Sequence, residues 1–351
     1  MVSLSDPSRV YEYLRKNDYV DTAIFLISSS DNLNNRAKLL DNRLQQLQRG
    51  LQEMTEKVSS QITKATPENP EFNSLFKDIH YSYLDAVMQI NILIELLGVY
   101  YHMIRTNVRE LPQCIGRTDF PPKKLHEEFE NFVNQDVSDV WVNFRYPDVR
   151  NFVELSSDEQ DLLKGLLHKS ALKLVEAFKD IYFFQRNFRH IYNKYKHTLS
   201  EFTGIFGIDD IGKIIQTQIY VRHKENNKVC TYIIPVAPDE VKYLNEISAR
   251  VYHILGVLID NALLHIVNEE KDFVPRTLFI DKEDETRFKE LADKIQSCVA
   301  PSFKSKVIAK PPIEENADRI NKELKEKHLY KMSKDILNPD SLLKQGVTVS
   351  K

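Results

Sequence analysis

The sequence predicts a mainly α-helical protein, a bundle of long helices with one β-hairpin inserted at about 215–236. Three observations carry this. Apolar residues recur at spacings of three and four over long stretches, as in Leu40, Leu44, Leu47, Leu51, Met54 and Val58. Glycine is scarce, nine in 351 residues against a usual share of about 7%, which argues against tight-turned doubly wound sheets and glycine-rich nucleotide loops. Only one region changes period: Ile215–His223 and Val229–Val236 are rich in β-branched and aromatic residues.

The elements follow in order. Ser5-Asp6-Pro7 reads as a helix start, with Asp6 capping and Pro7 in the first turn, and a short mixed segment runs to about 29. A helix over about 32–64 carries a heptad seam of nearly three repeats. Thr66-Pro67-Glu68-Asn69-Pro70 breaks it, because proline disfavours helix both before and at its own position. A long apolar helix follows over about 72–110 through Val87, Ile90, Leu93, Leu97 and Tyr100. Pro112, Gly116 and Pro121-Pro122 mark another break, then a short charged helix spans about 123–135. A loop is expected to carry the sole tryptophan, Trp141, and to end near Tyr146-Pro147. Ser156-Ser157-Asp158-Glu159 has the form of a helix start, and that helix continues to about 203. The polar turn Lys224–Lys228 joins the two arms of the hairpin. Pro238-Asp239-Glu240 opens a helix to about 268, and a short helix fits 284–298. This gives an N-terminal helical segment 1–70, a helical core 71–300 and a charged, partly flexible tail 301–351 with 11 basic and 7 acidic residues.

Composition excludes several classes. The 48 basic and 51 acidic residues give a net charge of −3, which excludes a chain basic throughout but not a local basic patch. Three cysteines, Cys114, Cys230 and Cys298, are odd in number and far apart, so a reduced, cytoplasmic setting is expected. The N-terminus lacks the basic-then-apolar form of a signal peptide, and no apolar run approaches about 18 residues, so no membrane partner is expected. Gly207–Lys213 fits the first part of a phosphate-binding loop, but Ile214 stands where the magnesium-binding hydroxyl belongs. No HExxH or ExxH ligand pattern is present. Glu95 and His102 read as a hydrogen-bonded core pair, and His253, Asp260 and His265 are read in the same way. No metal and no cofactor are expected.

The most distinctive stretch is 181–200, which has no acidic residue and six aromatic ones. On a helix, at about 100° per residue, Arg186, His190, Asn193 and His197 share one polar stripe. Arg189 and Lys196 flank it on one side and Lys194 on the other. Phe184, Phe188, Ile191 and Tyr195 share the opposite face. Guanidinium groups bind phosphate in fork geometry, and imidazole exchanges protons near neutral pH. The stripe therefore reads as an anion or phosphate site. Ribonuclease chemistry without metal needs a proton-transfer His, cations for the phosphorane charge and an amide to orient the phosphate.

The string from Arg186-Asn187 through Asn193-Lys194-Tyr195-Lys196-His197 resembles the signature helix of the HEPN superfamily, in which an Arg and a polar residue precede a His. Members are all-helical and often dimeric. Many are metal-independent ribonucleases, and others bind RNA or nucleotides without catalysis. The resemblance implies His197 as the catalytic His with an Arg-polar pair upstream. The expected roles are His197 as general acid/base, Arg186 and Arg189 on phosphate charge, Asn193 orienting the phosphate and His190 assisting. Lys194, Lys196 and Tyr192 would contact nucleic acid, with RNA as partner and a homodimer formed through helices. The alternative is a non-enzymatic interaction protein that uses the 32–64 heptad helix and the C-terminal tail.

Overall fold

The computed structural model describes residues 7–60, 70–117, 121–197, 203–208, 214–225, 228–268 and 273–296, and among them it is mostly helical, with nine α-helices. Residues 1–300 group as one compact unit and 301–351 as a second. The tail lies outside the described residues.

The N-terminal helices are α1 (Pro7–Lys16) and α2 (Val20–Ser60). α2 is continuous where a break near residue 30 was expected. Ser28-Ser29-Ser30-Asp31 has the composition of a cap, but no glycine or proline stops the helix there. Buried Leu26 and Leu33 also extend the seam backwards by heptads from Leu40. Leu40, Leu44, Leu47, Leu51 and Met54 are all buried within the single chain. α2 packs on α3 (Pro70–Thr106) and α8 (Pro238–Val267), so it belongs to the bundle itself.

Short helices follow α3. α4 (Leu111–Arg117) falls where the prolines suggested only a break, with Pro112 in its first turn, where a missing N–H costs nothing. α5 (Pro122–Asn134) has proline at its start. Trp141 sits on a helix, α6 (Val137–Asn143), not on a loop. The signal was local: the Asp136 carboxylate accepts from the Asp139 backbone N–H while Asp139 answers to the Asp136 N–H, a reciprocal cap.

After α6 the chain turns through Arg145, which has φ +54°. Neighbours hold this left-handed residue in place. Its guanidinium lies 3.0 Å from His265 Nε2 and donates to the Ile104 carbonyl at 3.4 Å, while Asn261 donates to the Phe144 carbonyl at 2.8 Å. Thus α3 and α8 together fix the turn.

α7 (Ser157–His197) begins with the predicted cap: the Glu159 carboxylate accepts from the Ser156 N–H at 2.8 Å. Its inner face meets the aromatic centre of the core. Phe178 packs on Phe132 at 4.7 Å, on Tyr101 at 5.4 Å and on Phe144 at 6.0 Å between ring centroids. Ser170 is fully buried and pairs with the Tyr146 hydroxyl at 2.7 Å, and it accepts from the Phe279 N–H at 2.8 Å. The final helix α9 (Lys282–Gln296) docks through Phe288 and Leu291 and through the pairs Lys169–Asp284 and Lys294–Glu159.

Between α7 and α8 the backbone pairs as three antiparallel segments, β1 (Thr203–Ile208), β2 (Ile214–Glu225) and β3 (Lys228–Val236), in that order. The register between the last two runs from Thr217↔Val236 to Glu225↔Lys228. Their side chains lie outside the described residues.

Among the described residues, two helices are long and apolar enough to cross a membrane, Lys77–Thr106 and Pro238–Val267. Most of the apolar window of each is buried inside the bundle.

Candidate functional site

The C-terminal half of α7 separates its two faces by burial. Inward, Phe184 is fully buried, stacks on Phe188 at 4.5 Å and meets Tyr243 of α8 at 5.9 Å. Outward, Leu172, Glu176, Lys179, Phe183 and Arg186 are exposed and follow one another at spacings of three and four. Asn187 and Arg189 are exposed as well. From residue 181 onward this helix contains no acid. Of the carboxylates around it, Asp180 pairs with Arg250 and Glu130 of α5 accepts from Tyr182 at 3.4 Å, while Glu176 is exposed one turn before Lys179. Such a face attracts anions, and its guanidinium groups can fork onto phosphate oxygens.

Of the residues singled out from the sequence, Arg186 and Arg189 are on this open surface. The helix backbone continues through His197, but the side chains of His190, Asn193, Lys194, Lys196 and His197 lie outside the described residues. The loop-like Gly207–Lys213 segment lies mostly outside them too. Tyr192 is a different matter. It is 4% exposed and donates its hydroxyl hydrogen to Glu95 at 2.6 Å. Burial, together with the Glu95 hydrogen bond and charge, raises its phenol well above the ordinary range. Tyr192 thus ties α7 to α3 and presents no ring for a base to stack on.

Glu95 and His102 do not pair with each other. Seven helical residues separate them by about 10 Å along the axis. His102 Nδ1 instead lies 2.6 Å from Glu128 Oε1 of α5, and the same oxygen accepts from Arg105 at 2.6 Å. Glu128 is 3% exposed, so these partners offset the cost of burying its charge. Nearby, Tyr101 donates to Gln135 at 2.8 Å and accepts from Asn143. This cluster joins α3, α5 and α6. Periodicity gave no sign of it, because its members come from helices whose mutual rotation only packing sets.

Phe183 also went unremarked in the sequence, although a signal existed: it lies one heptad before His190 on the polar stripe. His253 and His265 have separate surroundings. His253 meets the Phe279 ring edge-on at 4.7 Å, and burial lowers its pKa. No protein-family model, curated protein or solved structure matches the chain.

Proposed function

We propose that this is an RNA-binding helical protein that takes phosphate on the outer face of the second half of α7. The observation behind this reading is the exposed run Lys179, Phe183, Arg186, Asn187 and Arg189 on a helix stretch with no acid from residue 181 to its end. The alternative, an interaction protein that uses the α2 seam and the C-terminal tail, draws less support, since Leu40, Leu44, Leu47, Leu51 and Met54 of the seam are buried within the chain. Lys194 and Lys196 extend the cationic charge of the same stretch. His197 is the proton-transfer group if binding leads to metal-independent cleavage, with His190 and Asn193 beside it on the stripe. The β-element expected at about 215–236 belongs to this reading as an insertion between α7 and α8.

The test is fluorescence anisotropy of the full chain with a labelled single-stranded RNA in EDTA, across a salt series. Affinity should fall linearly with log salt, and Arg186→Ala should reduce the slope by about 0.7, the share of one phosphate contact on a single strand. No binding at low salt, or an unchanged slope in the variant, overturns the assignment. RNA cleavage by the wild type that is lost in His197→Ala would add catalysis.

A further inference from the structure

We infer that Phe183 is a base-stacking platform, so the ligand of the α7 face is single-stranded RNA with an unstacked base at this ring. The inference rests on the proposed RNA binding and specifies its substrate class.

The phenyl group is 48% exposed at the centre of the outer stripe. Lys179 stands one turn before it and Arg186 one turn after, about 10 Å apart along the axis. Phosphates on either side of a stacked nucleotide would each meet a cation. Tyr182 lies edge-on to the ring at 5.6 Å and limits its freedom, and the Tyr182 hydroxyl makes a long hydrogen bond to Glu130 at 3.4 Å. A pre-positioned ring loses little freedom when a base lands on it.

The other exposed aromatics among the described residues lack this setting. Tyr81 is 63% exposed, and although Asp85 pairs with Arg43, Asp78 lies one turn before it. Tyr243 is 36% exposed, with Asp239, Glu240 and Glu246 within one turn. Both sites would repel a phosphate chain. Beside Phe183 the one acid within a turn is Asp180, and Arg250 neutralises it. Stacking on an aromatic ring is sequence-tolerant, because every base has a π-face, whereas a paired duplex keeps its bases inside the stack.

The experiment compares wild type, Phe183→Ala and Phe183→Trp for affinity to a single-stranded RNA, to the same RNA as a duplex, and to inorganic polyphosphate. Phe183→Ala should weaken the single strand by about 5- to 100-fold, the weight of one stacked base, and leave polyphosphate unchanged. Phe183→Trp should restore the single-strand affinity, and the wild type should prefer single strand to duplex. Equal single-strand affinity in wild type and Phe183→Ala, with salt-dependent binding intact, overturns the stacking site but leaves the phosphate reading standing. A wild type that binds neither RNA nor polyphosphate overturns both. Equal loss for RNA and polyphosphate also overturns the stacking role. Since the ring is half in water, circular dichroism should be the same for all three proteins.

Discussion

His80 should make this protein measurably acid-sensitive. It sits on α3 with 7% of its surface exposed, and burial lowers its pKa from the usual 6.5 to about 4. In the unfolded chain the imidazole returns to about 6.5. Between those values the unfolded state binds the extra proton, so stability falls as pH drops from about 6.5 towards 4 and is unaffected above that window. From pH 7 to pH 4.5 the loss comes to about 2 kcal/mol. Asp148 and Glu159, held down to about 2 by the Arg150 and Lys294 side chains, lose their own stabilisation only as pH falls through about 4 and below, and that loss is common to both proteins compared. The measurement is urea unfolding of wild type and His80→Gln at pH 7, 5.5 and 4.5. The variant costs some stability at pH 7 through lost packing, and its disadvantage should shrink by about 2 kcal/mol at pH 4.5. Parallel pH curves for the two proteins would refute the argument and show that His80 takes up its proton without unfolding.

Two glycines on helices should respond to alanine in opposite directions. At Gly165 an added Cβ meets nothing within 4 Å, so Gly165→Ala should stabilise by up to about 1 kcal/mol through helix propensity. At Gly98 it would lie 2.5 Å from Leu125 Cδ1 and 3.2 Å from the Phe129 ring, so Gly98→Ala should destabilise by about 1–2 kcal/mol as α5 is pushed off α3. Thermal melts of both variants decide this. Glu128→Ala should cost about 2–3 kcal/mol, below the usual range for a broken buried pair, because Arg105 is 37% exposed and its freed charge can reach water. Urea unfolding that shows no loss would mean the cluster only breaks even.

Much of this fold is legible in the sequence because helical periodicity is a local signal. The α2 seam, the α3 and α8 apolar runs and the Ser156–Glu159 cap all sit in short windows, and a helix buries whatever stripe its own spacing makes. Trp141 was misplaced although its cap is equally local, because seven residues offer too few turns to show a period. α2 ran through its polar segment because packing on α3 and α8 outweighs weak local capping.

The site divides along the same line. Sequence alone determined that 181–200 is basic, aromatic and free of acid, and that Arg186 lies on the face opposite Phe184. Tertiary structure decided which of those residues water reaches. It buried Tyr192 against Glu95, left Phe183 half in water and turned the α2 seam inward. It also gathered Glu128, Arg105 and His102 into one charge cluster. Periodicity fixes angles within a helix, but the rotation of one helix against another is set only when their side chains interlock.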